Sequence, residues 1–427
     1  MVHGEAWTIK ELFVYPNEYI YWTIQIVMYP LMTGLVAGAF VLSSLYHVFG
    51  VKKLKDIARF SLVFSFALLP CAMLPLMLHL QQPMRGMEIM LTPHFTSAIA
   101  AFGIVFTTYS MIVGSELWFV YRGYFVETVQ SLRDKTNRTF GESFRYNLYR
   151  LLSLGAYDIS HEAREKDERA IKILAGIGIP VACFLHGYAG FIFGSVKANA
   201  LWMTPLMPVI FICSAVVSGV ALCIVTYIAT MELRKLLADR KRRHDPALPS
   251  TEELKSAEIQ VVTMTVKYLV MFMILAISLE LLDLIFRGYT AVKSWDILRK
   301  IIYGKDFFNI FILQYGLGNL VPFIILLLPR PTIRRAVVGS LLVLLGVFMM
   351  RWNVVIGGQA FSGSFAGFME YRLPIWPDSM ELYKEGLFGA LTVGIAPFIL
   401  FWIMSKIFPI FPSEEQHGDV SRNPRKF

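Results

Sequence analysis

No C-x-x-C pair occurs in this sequence, and its four cysteines, Cys71, Cys183, Cys213 and Cys223, stand singly inside apolar runs. That spacing excludes a cysteine-held zinc site or iron–sulfur cluster. Without C-x-x-C-H there is no attachment point for a c-type haem. No two histidines fall mid-run on different helices at matching depth, so a bis-histidine haem has no ligands either. The expectation is a chain with no metal and no redox centre of its own.

Charge is the second scarcity. Asp, Glu, Lys and Arg make up 17% of the 427 residues and hydrophobic types 56%, whereas soluble chains carry about 25% charged residues. A soluble globular domain is therefore excluded. The net charge of +9 would suggest nucleic acid in a soluble protein, but the cations cluster in a few short connections. Membrane topology explains that clustering, and nucleic acid is not an expected partner. A cleavable signal peptide is not expected, because the first apolar run starts near Tyr19 without a basic flank and is too long.

What the sequence does contain is long apolar blocks. A helix crossing a bilayer needs about 20 apolar residues, and about nine stretches meet that need: residues 19–48, 60–80, 95–121, two within 170–231, 261–286, 307–328, 336–350 and 386–406. The predicted fold is an all-α polytopic membrane protein. The polar stretch 122–169 reads as helices lying on the membrane, since it is too short and polar to hold a core. The sequence divides into an N-terminal segment 1–18, a membrane core 19–352, and a remainder 353–427 holding a loop, an additional span and a tail.

Orientation follows from the cations. Lys52, Lys53, Lys55, the 122–169 group, Arg240 to Arg243, Arg330, Arg334 and Arg335 follow odd-numbered spans; only the connection after the sixth span, with Lys293, Arg299, Lys300 and Lys305, breaks the pattern. The positive-inside rule puts the N-terminus outside and the C-terminus in the cytoplasm.

Ionisable groups inside a span are expensive and mark candidate sites. His186 sits in the outer half of the fourth run, flanked by Gly187 and Gly190. Glu280 and Asp283, three residues apart, share one face of the sixth. His79, His94, Trp202, Trp352, Asn353, Gln359, Asn17 and Tyr19 fall toward the same outer side. Hydrogen-bonding and titratable groups at one depth, in apolar surroundings, suit a quinone ring. That ring needs partners at two carbonyls and groups that exchange protons. His186, Glu280 and Asp283 are the candidates for that exchange. Each also has a plainer reading, since His79 and His94 can be simply interfacial and the two acids can snorkel to water. Lys267 and Glu116 lie toward the inner side, where snorkelling also accounts for them.

At these residues the sequence resembles the NrfD/PsrC family of quinone-interacting membrane subunits, and most nearly the DsrP/HmeP type. The resemblance is carried by PNEYIYWTIQIVMYPLMTGLVAGAF, PLMLHLQQPMR, HGYAGFIFGSVKANALWMTPLMPVIFICSA and RWNVVIGGQ, in order, from Pro16 to Gln359. It implies two four-helix bundles, to which a ninth span is additional. It also implies menaquinone or menaquinol bound near the outer face, and a ferredoxin-like iron–sulfur subunit docked there, among further redox subunits in the cytoplasmic membrane. His186 corresponds to the family's fourth-span histidine, and Asn17 and Tyr19 correspond loosely to its first-span polar residues. The chain has no histidine near the start of the first span, where some members carry one. A secondary transporter, or a proton-translocating protein without quinone turnover, is the alternative. Transporters usually place broken helices at the midplane, whereas here the polar groups gather toward one face.

Overall fold

The computed structural model describes residues 19–97, 99–135, 138–196, 199–242, 251–289, 295–329, 332–361 and 368–411. Among these, nine helices are long and apolar enough to cross a membrane: Ile24–His47, Lys52–His79, Ala100–Arg133, His161–Gly194, Met207–Leu237, Thr251–Tyr289, Phe308–Leu327, Ile333–Gly357 and Leu387–Met404. They are called the first to ninth spans. No extended strand occurs among the described residues, so the chain is an all-α, multi-pass membrane protein. In lipid this is expected, because a spanning helix satisfies all its backbone groups internally.

The first span is the hub. It packs against the second, fourth, fifth, eighth and ninth, and almost every residue along it is buried. Hydrocarbon offers no driving force for helices to associate, so close backbone approach must supply it. Gly38 and Gly219 provide that approach between the first and fifth spans, where a Cβ on Gly219 would lie 2.5 Å from the Cα of Gly38. One turn earlier, a Cβ on Gly34 would lie 3.1 Å from the His186 ring. Gly318 and Gly346 abut in the same way between the seventh and eighth spans. The ninth span packs on the second through aromatic edges, with Phe401 5.0 Å from Phe60 and 5.1 Å from Phe64 between ring centroids.

Two departures from regular α-helix bear on the site. The second span is interrupted at Ala72 and Met73, between Pro70 and Pro75, because proline removes a backbone donor and crowds the turn before it. The seventh span opens with a π-helical stretch, Phe308–Leu320, and the eighth closes with another, Asn353–Gly357. Such widened turns are rare and concentrate at functional sites.

The 122–169 stretch is built from extensions of the third- and fourth-span helices with a separate helix, Phe140–Leu152, between them. The third-span helix has 34 residues and so is about 50 Å long, well beyond the ~30 Å hydrocarbon core. Helix Phe140–Leu152 runs back along its projecting part. Lys135 pairs with Glu142 at 2.6 Å, Arg145 donates to the Tyr124 hydroxyl at 2.9 Å, and Trp118 donates to the Leu152 carbonyl at 2.8 Å. A capping box, Thr139 with Glu142, starts the return helix. Arg122 then ties the third span to the fourth through Asp167 at 2.5 Å. This segment is held by specific pairing with a neighbouring helix, while Phe140, Phe144 and Leu151 stay exposed on its other face.

Candidate functional site

The first span, the 80–99 and 199–206 connections and the 368–386 segment meet at one end of the bundle, the aromatic end. Trp22 and Trp202 stack there at 5.0 Å, with Phe193 edge-on to both. Trp202 donates its indole N–H to the Val354 carbonyl. Gln359 closes a two-way bond with the Trp22 backbone, accepting at 3.0 Å and donating at 3.1 Å. His79 meets Glu385 at 3.0 Å, and Thr23 donates to the same carboxylate. These contacts fasten the segment before the ninth span to the first and second spans. They engage His79 and Trp202 in packing at this end.

Below that layer, between the fifth, sixth, seventh and eighth spans, lies a pocket. Its apolar walls include Met207, Ile210, Leu284, Ile302, Ile310 and Val354, and its polar groups are Glu280, Asp283, Arg287, Gln314, Tyr315 and Asn353. Three of these form a chain: Asn353 donates Nδ2 to Gln314 Oε1 at 2.8 Å, and Gln314 donates Nε2 to Glu280 Oε2 at 3.0 Å. Both amides sit in the π-helical stretches. Asn353 is 5% exposed, and its Oδ1 has no hydrogen-bond partner. A buried acceptor left unpaired is costly, so this atom marks where a ligand donor would fit.

Asp283 is differently employed. One oxygen accepts from Thr204 Oγ1 at 2.5 Å, the other from Arg287 Nε at 2.8 Å. Arg287 also donates to the carbonyls of Ala200 and Leu201 at 2.9 and 3.1 Å. The Asp283–Arg287 pair thus clamps the 200–204 connection, whose Leu201 lines the pocket.

His186 lies behind this pocket. Its side chain is fully covered. Nε2 is 3.0 Å from Arg351 Nη2 and Nδ1 is 3.4 Å from Thr33 Oγ1. An arginine only donates, so Nε2 accepts. Nδ1 then carries the proton toward Thr33, whose hydroxyl donates onward to the Tyr29 carbonyl at 3.1 Å. Arg351, fully buried, also donates to Ser214 Oγ at 2.7 Å and lies 3.7 Å over the Phe211 ring. Met350, its neighbour in sequence, is a wall of the pocket.

The structure therefore brings Glu280, Asp283 and Asn353 together, with His186 one layer back through Arg351. Trp352 faces the other way, packing against Phe348 and Tyr371 at 6.1 and 5.6 Å. His94 is exposed on the 80–99 connection, bonded to Thr96 at 2.7 Å. Tyr19 is half-buried beside Tyr21 at 6.1 Å, and Asn17 lies outside the described residues. Sequence reasoning missed Gln314, Arg287, Arg351 and Thr33. Gln314 carried a usable signal as an amide inside a seventh-span apolar run. Arg351 did not, since a cation at a run's end reads as snorkelling.

A second crevice, walled by Met28, Met32, Leu222, Leu344, Phe348 and Phe398, is almost wholly apolar. It has no group to meet a polar ring.

A family profile for polysulphide reductase NrfD matches residues 15–363. Over 421 residues the chain is 25% identical to a selenate reductase subunit of Mesobacillus selenatarsenatis, covering 96% of this chain and 90% of that one. It is 26% identical to a putative dimethyl sulfoxide reductase membrane subunit of Halobacterium salinarum, covering 88% and 79%. To the Hdr-like menaquinol oxidoreductase integral membrane subunit of Archaeoglobus fulgidus it is 24% identical, covering 90% and 83%. With nine candidate spans among the described residues and a family match over most of its length, the chain belongs to the NrfD family.

Proposed function

We propose that this chain is the quinone-interacting membrane subunit of a respiratory redox complex, with the quinone ring in the pocket between the fifth and eighth spans. The carrying observation is the unpaired, buried Asn353 Oδ1 at the end of the Asn353–Gln314–Glu280 chain, in otherwise apolar walls. A quinone or quinol asks for that combination. Glu280 takes or gives a proton, Asn353 holds a ring oxygen, and the Asp283–Arg287 clamp shapes the mouth. His186 acts as a positioning residue through Arg351. The names of the relatives support the reading, since one is a menaquinol oxidoreductase subunit and the other two are reductase subunits. Menaquinone is the quinone these names favour.

A chain without a cluster-binding cysteine motif must exchange electrons with a partner. An iron–sulfur subunit docked on the aromatic end, outside the cytoplasmic membrane, is the proposed one. Met84, Leu91, Phe95, Ile375, Trp376 and Met380 are exposed there, outside the spans, and exposed large apolar side chains, aromatics and methionines among them, suit a protein interface. Transport is less well supported, because the pocket lies toward one end rather than at a midplane break.

Ile310→Trp, which adds bulk to an apolar wall of the pocket and leaves the residues of the polar chain unchanged, tests the reading. The purified native complex should stay whole while quinol-dependent reduction of the iron–sulfur partner is lost. Turnover at the wild-type rate in this variant would place the quinone elsewhere.

A further inference from the structure

The polar chain in the pocket has a direction, and the direction is set by Glu280. An ionised carboxylate only accepts hydrogen bonds. Gln314 must then turn Nε2 toward Glu280, leaving Oε1 to receive Nδ2 of Asn353, at 3.0 and 2.8 Å. The free end of the chain is consequently the acceptor Asn353 Oδ1, buried and unpaired. A quinol hydroxyl can donate to it, and a quinone carbonyl cannot. A protonated Glu280 can donate instead. Both amides then turn over with little change of shape, both bonds survive reversed, and Asn353 presents Nδ2, a donor that fits a quinone carbonyl.

We propose that the Glu280–Gln314–Asn353 chain makes the pocket's hydrogen-bonding polarity follow the protonation of Glu280, so that the pocket prefers quinol when Glu280 is ionised and quinone when it is protonated. The inference rests on the quinone reading above and adds a coupling to it. Linkage makes the effect reciprocal. Oxidising the bound quinol raises the proton affinity of Glu280. The quinol becomes quinone, its two electrons pass to the iron–sulfur partner, and of its two protons one is taken up by the ionised Glu280 and held until the quinone leaves, while the other is released to water. The other groups facing Glu280 are Asp283 on its own helix, Arg351 from the eighth span, Asn319 and Tyr315 from the seventh, and Cys213 from the fifth. Arg287, paired with Asp283, stands about two turns along the same helix from Glu280. None of these lies in the amide chain.

The test measures binding of a short-chain 1,4-naphthoquinone and of its quinol to the detergent-solubilised native complex. The partner's clusters are kept fully oxidised for the quinone and fully reduced for the quinol, so that neither turns over. In the wild type the ratio of quinone to quinol affinity should rise about tenfold or more as falling pH protonates Glu280. Gln314→Leu keeps Glu280 and cuts the chain, so its ratio should be flat with pH. Asn353→Leu, which removes the amide that meets the ligand, should be flat as well. A pH dependence that survives in both variants overturns the coupling and leaves Glu280 acting directly on the ring. A flat wild-type ratio also overturns it. If Ile310→Trp changes the binding of neither form, the pocket reading itself fails, a result distinct from failure of the coupling.

Discussion

Arg351 and His186 meet Nη2 to Nε2 at 3.0 Å with neither side chain reaching the surface. The guanidinium is satisfied on one side, through Nη2 and the ring beneath it, while its Nε is buried without a hydrogen-bond partner. His186 and Ser214 take bonds from Nη2, and the Phe211 ring lies under the cation. The pair joins the fourth span to the eighth immediately behind the pocket.

Removing the imidazole leaves Arg351 short of an acceptor and opens a cavity beside Gly34. His186→Ala should lower the stability of the assembled protein by about 2–4 kcal/mol, the sum of a lost charged hydrogen bond and a void. A thermal melt of the purified complex reads it, and His186→Gln, which restores an acceptor, should recover part of the loss. An unchanged melt with quinol oxidation abolished would mean that His186 touches the ring itself.

Gly219 tests the hub from the side of the fifth span. A Cβ there falls 2.5 Å from Gly38 Cα, whereas one on Gly141 meets nothing within 4 Å. Gly219→Leu should therefore cost about 1–3 kcal/mol or more through overpacking, lowering the yield of monodisperse protein on size-exclusion chromatography. Gly141→Leu should behave like the wild type. Equal behaviour of the two would argue that the first and fifth spans do not pack through these glycines.

Asp306 lies between the π-helical stretches Ile301–Lys305 and Phe308–Leu320 at the aromatic end, outside the spans, and is buried with Oδ2 unpaired. Burial pushes its carboxyl above the usual carboxylate range, against the opposing pull of Lys305. A carboxyl raised in the folded state contributes its stability below the unfolded value, about 3.9, and loses it as pH rises through the folded one. Asp306→Asn should thus melt higher than the wild type at neutral pH, with the gap closing as the pH falls toward 4. A gap independent of pH between about 4 and 7 would show that the ionised carboxylate is not a cost.

Orientation is open to labelling at two exposed positions. Met84→Cys at the aromatic end should react with an impermeant thiol reagent in intact cells, and Lys53→Cys at the basic end only after permeabilisation. The reverse pattern would put the pocket and the proposed dock on the cytoplasmic side.

The number of spans was legible in the sequence because transfer into hydrocarbon adds up residue by residue along a run, a one-dimensional quantity. For the same reason the intramembrane acids and Asn353 stood out, each being a local exception in an apolar block. Their partners were not legible. Gln314 could be noticed, but nothing in its run says that it bridges Asn353 and Glu280. Arg351 looked like a cation at a membrane edge until the fourth and fifth spans were seen to close over it. The 140–152 helix has the composition of a surface-lying segment, and only the structure shows that it also pairs with the long third-span helix beside it. Which helices touch in lipid is decided by a few glycine contacts and single hydrogen bonds, and those depend on rotation and depth that the order of residues does not state. The sequence by itself determined that this chain spans a membrane and carries polar groups there. The tertiary structure alone decided which of them face one pocket and which hold its walls.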